Sequence, residues 1–438
     1  MSAPLHGVTT RRPASRLLKS VTQRMLFTLE QFSRDEMANH ASAGAYSFLL
    51  SAVPAVLVIV YLSSLAAISF DTDELLGLLG PYLGAFGGKE ATRAFVSKPL
   101  SGFAGAFGLV NLVWAARLFV VSIQRGFRVI WSKAVKVNPV RENILTFAVE
   151  LVTIVAIVAI IAVSQIARAT ISAIEWEPAA ALAGFTVRVS VRMVPALALW
   201  LFVALTYRTM PPKRPRPTHA IVTSALCVAS YTALGALLGL TMNADRYGLL
   251  YGILGNLIVG LIKVYFFFWL YFFFAELTYT IEFFDSLLFA RFHRLDSSEK
   301  PAGKIERTLF SEPARLFRRY AREYSAGQTI FSRGDDDRSA LYLYHGSVEI
   351  HLAPPGGIRS APMSRVDEGE FFGEMAWILE EPRSAWAVAA TDCTVFVLPS
   401  ALFERFLAHD AGASRRLVEI LAARLKANNE FLSKTRPR

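Results

Sequence analysis

Long apolar stretches separated by short polar segments make up the first two thirds of the chain. Six of them hold about 20 residues, enough for a helix rising 1.5 Å per residue to cross a ~30 Å hydrocarbon core. They cover approximately residues 45–69, 103–123, 145–166, 191–207, 220–240 and 249–274. The pattern predicts an all-α bundle of six transmembrane helices within residues 41–285.

In the last quarter of the chain, apolar residues recur at a shorter period. Apolar residues recur at every second position, at Leu341 and Leu343, at Val348 and Ile350, and again from Cys393. This spacing is typical of half-buried strands, whereas residues 417–432 carry apolar positions at helical spacing. The pattern predicts a small cytoplasmic β-roll with flanking helices over residues 312–438. A polar stretch around residues 296–304 predicts a linker over residues 286–311.

Composition agrees with a membrane protein and indicates its orientation. Of 438 residues, 53% are hydrophobic and 18% are charged, against about 25% charged residues in an ordinary soluble domain. The leader over residues 1–40 and the second and fourth loops are rich in Lys and Arg, which places them in the cytoplasm. An even number of crossings then puts both termini in the cytoplasm.

The leader also carries apolar residues at three- and four-residue steps, namely Leu18, Val21, Met25, Leu29 and Phe32. This spacing predicts an amphipathic helix on the inner membrane surface. The net charge of +11 is dispersed over segments that face anionic headgroups. The expected partner is therefore the lipid bilayer and not nucleic acid.

One short segment near the C-terminus carries the candidate chemistry. Gly373 and Glu374 are followed by Arg383 across a short spacer. A guanidinium offers a planar fork of donors that a phosphate accepts bidentately, and a carboxylate can accept from a sugar hydroxyl. Glycine lets the backbone approach a ligand closely. The segment predicts a site for a small cyclic phosphodiester.

The run Phe372-Gly373-Glu374-Met375-Ala376, followed by Pro382-Arg383-Ser384-Ala385, resembles a known phosphate-binding cassette. It is the cassette of the cyclic nucleotide-binding domains in the catabolite activator protein, protein kinase regulatory subunits and nucleotide-gated channels. The resemblance implies that Glu374 binds the ribose 2′-OH and Arg383 the cyclic phosphate. It further implies that the site includes Phe372, Gly373, Met375, Ala376, Ser384 and Ala385. The implied regulatory ligand is cAMP or cGMP, and no metal is expected.

The membrane part resembles the YihY/BrkB family of bacterial inner-membrane proteins over about residues 25–285. The resemblance is carried by residues 45–54, by residues 207–211, and by Ala275 and Glu276 in the last span. Two positions depart from the family pattern. Phe274 stands where the family usually has glycine, and Lys263 stands where it usually has an aromatic residue. The resemblance implies a multi-pass protein of the bacterial inner membrane, in a family whose molecular activity is not settled.

Four polar side chains within the predicted spans are functional candidates, because charge in the hydrocarbon region is costly. Arg117 and Glu150 lie at matched depth on adjacent spans, which favours a structural ion pair over a transport role. Lys263 lies near the middle of the sixth span, where it lines a polar pathway or makes an interhelical contact. Asn256 is expected to join helices.

Two functions remain open. The six spans and Lys263 favour a transport or channel-like activity that the nucleotide regulates. The alternative is a membrane-tethered scaffold or envelope-organising protein with a nucleotide-responsive recruitment domain. An enzyme is not expected, because the 7 histidines are scattered and no acid, base or metal cluster is seen. The choice of nucleotide, the substrate, the coupling and a homo-oligomeric state stay open.

Overall fold

The computed structural model describes residues 13–50, 119–131, 196–241, 244–296, 303–310, 313–354, 362–419 and 422. The chain forms two compact units. The C-terminal unit comprises Met1–Gln23 and Phe283–Arg438, and the helical unit comprises Arg24–Glu282.

The described part of the helical unit consists of helices and the short connections between them. The first, α1, spans Pro13–Arg34 and enters this unit at Arg24. The others are α2 (37–50), α3 (119–131), α4 (Ala196–Thr209), α5 (Pro217–Thr241) and α6 (Ala244–Glu282). Among the described residues, two segments are long and apolar enough to cross a membrane, Pro217–Leu238 in α5 and Ile258–Glu282 in α6.

These two segments correspond to the fifth and sixth predicted spans. The fourth prediction, 191–207, overlaps the shorter apolar helix α4. The third prediction, 145–166, lies outside the described residues, and the first and second are described only in part. The six-helix bundle therefore stays a prediction.

Helix α6 packs closely against its neighbours at two glycines. A Cβ added to Gly44 of α2 would lie 2.9 Å from Cδ1 of Phe268. A Cβ on Gly126 of α3 would overlap the ring of Phe272. Phe268 and Phe272 are both fully buried. Because the two glycines carry no side chain, α2 and α3 can approach α6 closely, as small residues allow helices to do in membrane proteins.

The C-terminal unit contains a β-roll of two four-stranded antiparallel sheets. One sheet has the order β1-β8-β3-β6 and the other β2-β7-β4-β5. The strands are β1 (Ala321–Tyr324), β2 (Thr329–Phe331), β3 (Ala340–His345), β4 (Val348–His351), β5 (Ser364–Val366), β6 (Phe371–Phe372), β7 (Trp386–Ala389) and β8 (Cys393–Leu398). Leu341, Leu343 and Val395 of the first sheet pack against Val348 and Ala387 of the second. The predicted β-sheet domain is confirmed.

The outer face of the first sheet is covered by three helices, α7 (Phe284–Asp296), α9 (Ala314–Tyr320) and α11 (Ser400–His409). Phe289 of α7 lies 5.7 Å from Tyr342 of β3, centroid to centroid. Phe317 of α9 lies 4.9 Å from Phe396 of β8. Phe406 of α11 lies 5.5 Å from Phe371 of β6. This sheet is therefore buried on both faces.

The predicted linker, 286–311, contains ordered helices. Most of α7 falls inside it, and so does α8 (Lys304–Phe310). Residues of α7 such as Leu288, Phe289 and Phe292 are buried. The two helices are joined by an ion pair in which Nη1 of Arg291 lies 2.8 Å from Oε1 of Glu306.

Candidate functional site

The candidate site is organised around a turn at Gly373. Strand β6 ends there, and Gly373, with φ of +71°, precedes the short helix α10 (Glu374–Ile378). A positive φ favours glycine over residues that carry a Cβ. A Cβ at this position would also lie 2.5 Å from Nη1 of Arg383 and 2.9 Å from Cδ1 of Leu341. Both the backbone conformation and the close approach of Arg383 require glycine here.

Arg383 is fixed at its backbone by the loop that follows β2. Its N–H donates to the carbonyl of Asp335 at 2.9 Å, and its carbonyl accepts from the N–H of Gly334 at 2.8 Å. The residue is only 2% exposed. Its guanidinium carbon lies 4.4 Å from the ring centroid of Phe331, which is within cation–π range.

The side chain of Arg383 donates several hydrogen bonds to the protein itself. Nη1 donates to the carbonyl of Gly373 at 2.5 Å. Nη2 donates to Oδ2 of Asp337 at 2.9 Å and to the carbonyl and hydroxyl oxygens of Ser339 at 2.8 and 3.1 Å. Nε is buried and makes no hydrogen bond to any described residue. Because buried polar atoms are nearly always paired, this edge of the guanidinium is suited to an acceptor from a ligand.

Asp337 supplies the negative charge that faces Arg383. Burial raises the pKa of its carboxyl, but hydrogen bonds from Ser339 and Arg383 outweigh this and hold the pKa below its usual value. The side chain of Asp337 is 60% exposed, so solvent screens the pair and its contribution to stability is small. Its clearer effect is to orient the guanidinium.

Glu374 and Arg383 flank the same glycine. Glu374 follows Gly373 directly and is fully buried at the start of α10, while Nη1 of Arg383 binds the Gly373 carbonyl. A buried carboxylate and a buried guanidinium beside one turn give the site two opposite charges in a region of restricted hydration. That arrangement suits a ligand with an anionic group and a neighbouring hydroxyl.

The other predicted site residues differ in burial. Phe372 is buried and stacks on Phe331 with a centroid distance of 6.1 Å. Ala376 and Ala385 are buried, Met375 is half-buried and Ser384 is exposed. The structure thus places the side chain of Arg383 against Gly373, within the segment 372–376. The ligand contacts assigned to Met375, Ser384 and Ala385 stay predictions.

The sequence interpretation missed Asp337 and Ser339. Both lie upstream of the cassette, and both bind Nη2 of Arg383. The available signal was the run Asp335-Asp336-Asp337 directly after Gly334. A glycine and a cluster of acids after a strand predict a turn with an acidic surface.

Of the four polar candidates within the predicted spans, only Lys263 has a described side chain. Arg117 and Glu150 lie outside the described residues, and Asn256 lies on α6 in a stretch whose side chains are not described. Lys263 is half-buried on α6. Across the described ranges, no group of three or more His, Cys, Asp or Glu residues is placed to hold a metal ion.

Known proteins resemble the C-terminal part of the chain. It is 34% identical over 94 residues to a cAMP-dependent protein kinase regulatory subunit of Colletotrichum orbiculare, a match covering 22% of this chain and 23% of that one. It is 30% identical over 111 residues to the cAMP-activated global transcriptional regulator Vfr of Pseudomonas aeruginosa, covering 24% and 51%. The chain thus spans about a quarter and about half of these relatives.

Among solved structures, the catabolite activator protein of Thermus thermophilus aligns with a TM-score of 0.25 and 24% identity. The alignment covers 33% of this chain and 62% of that one.

Two family models match the chain in separate regions. The model described as cyclic nucleotide-binding domain matches residues 321–410, which contain the Gly373 turn and Arg383. The model described as virulence factor BrkB matches residues 28–286, more than half of the 438 residues. The chain therefore belongs to the virulence factor BrkB family and carries a C-terminal cyclic nucleotide-binding domain.

Proposed function

We propose that this protein binds cAMP or cGMP at the Gly373 turn and that occupancy regulates a transport or channel-like activity of the BrkB domain. The observation that carries the binding proposal is the placement of Arg383. Its guanidinium is buried at the turn that Glu374 follows, is already oriented by Asp337 and Ser339, and keeps one buried N–H without an acceptor among the described residues.

The ligand would use the two sides of the turn differently. The cyclic phosphate carries one negative charge and takes the Nε and Nη1 edge of Arg383, where charge-assisted hydrogen bonds are strong. The ribose hydroxyl donates to the carboxylate of Glu374. Because Nη2 is held by Ser339 and Asp337, the guanidinium loses little freedom on binding, which favours affinity.

Packed aromatic residues provide a route from this site to the helix that follows the last span. Trp377 of α10 lies edge-on to Phe403 of α11 at 5.1 Å. On the same helix, Phe406 contacts Phe289 of α7 at 5.0 Å. Helix α7 begins at Phe284, and α6 ends at Glu282. A displacement of α10 by the ligand would therefore reach the end of α6 through α11 and α7.

Nucleotide titration of the full-length protein in lipid nanodiscs tests the binding proposal. Arg383→Lys keeps the charge but removes the planar fork, so we expect affinity for cAMP and cGMP to fall about tenfold or more. Arg365→Lys, which changes an exposed arginine of β5, is the matched control and should bind normally. Failure of the wild-type protein to bind either nucleotide, or normal binding by Arg383→Lys, would contradict the proposal.

Flux measurements test the regulated activity. Proteoliposomes would be assayed for K⁺, Na⁺ and H⁺ movement with ion-selective dyes, with and without the nucleotide. Coupling between two sites is commonly worth ~1–3 kcal/mol, so we expect a change of about fivefold or more. Nucleotide binding without flux in either state would contradict transport and favour the membrane-tethered scaffold or envelope-organising protein.

We also propose that the protein crosses the bacterial inner membrane six times, with both termini in the cytoplasm. The support is the basic leader and the basic second and fourth loops, as the positive-inside rule requires. A reporter that is active only in the cytoplasm should work when fused to either terminus. No enzymatic step is part of the proposal, and a homo-oligomer is compatible with it.

A further inference from the structure

Arginines are concentrated on the exposed side of α9. Arg315, Arg318 and Arg319 follow one another at steps of three and one, so they lie on one side of this helix. Arg322 comes two residues after the helix ends, and all four arginines are exposed. Phe317, on the opposite side of α9, packs on the first sheet. One side of α9 therefore faces the domain, and the other presents arginines to solvent.

Acidic groups offset only part of this charge. Asp285 of α7 accepts hydrogen bonds from Nε of Arg315 at 2.5 Å and from Nη1 of Arg319 at 2.8 Å. Within the described residues of α9 and β1, the one acid is Glu323, whose side chain points away from that of the preceding arginine because strand residues alternate between faces. Glu312, before α9, lies outside the described residues. One carboxylate is thus shared by two of the four arginines, which leaves the described part of this side with a net positive charge.

The arginines that bind Asp285 also keep donor groups in solvent. A guanidinium has five N–H donors, and the structure shows one hydrogen bond to Asp285 from each of Arg315 and Arg319. Their side chains remain 42% and 56% exposed. Because a guanidinium can bind two oxygens of one phosphate in its own plane, exposed arginines at this spacing are suited to a phosphate group.

The basic side of α9 is held close to the end of the last apolar segment. That segment ends at Glu282, and Asp285 follows after three residues, which span at most about 11 Å even when fully extended. The headgroup layer of a bilayer is roughly 5–8 Å deep on each side. The guanidinium carbon of Arg315 also lies 5.6 Å from the ring centroid of Phe284, the residue before Asp285. The arginines are therefore within reach of the headgroups at the point where α6 would leave the bilayer.

We propose that the exposed side of α9 binds the phosphate group of an anionic lipid of the inner leaflet. Arg318 and Arg322 hold the phosphate, and Arg315 and Arg319 share it with Asp285. Each basic residue near an anionic membrane surface increases affinity about fivefold. A zwitterionic lipid carries its own cation beside the phosphate, so it gains less from these arginines. The nucleotide-binding domain thus has a second ligand, which fixes its first helix to the membrane surface.

Photo-crosslinking of the full-length protein in nanodiscs tests this site without nucleotide. The probe is a phosphatidylglycerol that carries a photoreactive group on its headgroup, and a phosphatidylcholine with the same group is the neutral counterpart. Peptic peptides that contain residues 314–322 should be labelled at least about fivefold more by the phosphatidylglycerol probe. Equal labelling by the two lipids, or no labelling of this segment by either, would overturn the proposal. Loss of the labelling in excess inorganic phosphate would assign the site to a soluble anion and would overturn it as well.

A double variant tests the residues themselves. Arg318→Gln with Arg322→Gln leaves the contacts of Asp285 in place, so labelling by the phosphatidylglycerol probe should fall at least about fivefold while labelling by the phosphatidylcholine probe stays the same. Arg415→Gln with Arg416→Gln is the matched control, because it removes two exposed arginines from another helix of the same domain, residues 411–419. An equal fall in the two double variants would show a response to net charge alone and would overturn the assignment to α9.

Discussion

Gly373 is the residue on which the ligand site depends most directly. It permits the left-handed turn before α10 and leaves the space into which Nη1 of Arg383 reaches. The acid and the arginine provide the charges, but the distance between them is set by a position that has no side chain. The affinity of the site should therefore be as sensitive to Gly373 as to either charge.

Replacement of Gly373 by alanine tests this dependence. The new Cβ would be strained by the φ of +71° and would displace Arg383. We therefore expect the free energy of unfolding to fall by about 1–3 kcal/mol. Nucleotide binding should be lost as well, because Arg383 no longer keeps its position. Gly327→Ala is the matched control, because φ there is +82° but nothing lies within 4 Å of the added Cβ. Thermal unfolding and nucleotide titration should show destabilisation in both variants and lost binding only in Gly373→Ala.

Residue types at fixed spacing were enough to predict the acid and the arginine of the site, because their chemistry is local to one turn. Asp337 and Ser339 could not be predicted in the same way, since they reach Arg383 from a different strand connection.

At the scale of elements, the junction after α11 joins three helices. Oδ1 of Asp410 accepts from the N–H of Ala413 at 3.0 Å, which caps the following helix, α12 (411–419). Oδ2 of the same residue lies 3.5 Å from Nδ1 of His293 on α7. Asp410 therefore caps one helix and also approaches a side chain of the helix that follows the last span.

Asp410→Ala should loosen α12 at neutral pH. Loss of an N-cap costs about 0.5–2 kcal/mol, so hydrogen exchange should accelerate in residues 411–419. Glu419→Ala removes only an exposed ion pair with Arg415 on the same helix and should change exchange little. Equal acceleration in the two variants would contradict the capping role.

The same junction has a defined pH dependence. Burial raises the pKa of Asp410, but the nearby side chain of His293 and the hydrogen bond from the Ala413 N–H outweigh it and lower the pKa below its usual value. A lowered pKa stabilises the fold above the unfolded value of about 3.9, and this contribution is lost as pH falls through the folded value. Acid unfolding of Asp410→Asn should therefore be less steep in that range than acid unfolding of the wild-type protein.

The elements themselves were predicted unevenly. Alternation at Leu341 and Leu343 predicted a half-buried strand, but β3 is buried on both faces because Phe289 of α7 packs on Tyr342. Most of α7 was assigned to a linker because a polar stretch follows it at residues 296–304. Its apolar residues acquire a role only beside the sheet that they cover. The two apolar segments described in α5 and α6, by contrast, could be predicted from composition alone, since burial in lipid needs no particular partner.

At the scale of the whole molecule, Asp285 ties α7 to the start of the nucleotide-binding domain. Its carboxylate accepts from Nε of Arg315 at 2.5 Å, from Nη1 of Arg319 at 2.8 Å and from the hydroxyl of Tyr320 at 2.9 Å. All three partners lie at α9. Asp285 lies three positions after the end of α6. Movement of the nucleotide-binding domain would be transmitted to the last predicted span at this point of the chain.

Asp285→Ala should therefore separate nucleotide binding from its effect on the membrane domain. We expect nucleotide affinity within about twofold of the wild-type value and at least half of the nucleotide-dependent change in flux to be lost, a reduction within the usual ~1–3 kcal/mol of coupling. Glu306→Ala, which breaks the ion pair between α7 and α8, is the control. If the Asp285→Ala variant kept the full nucleotide-dependent change in flux, transmission through Asp285 would be excluded.

Because α7 covers the first sheet, it determines where the nucleotide-binding domain can be cut from the chain for separate expression. A fragment that starts at residue 312 would leave the rings of Tyr342, Phe371 and Phe396 without Phe289 and Phe292 above them. An uncovered aromatic surface of this kind promotes aggregation. The nucleotide-binding portion should be recovered in soluble form only when the cut is made before Phe284, so its working boundary lies at the membrane and not at the first strand.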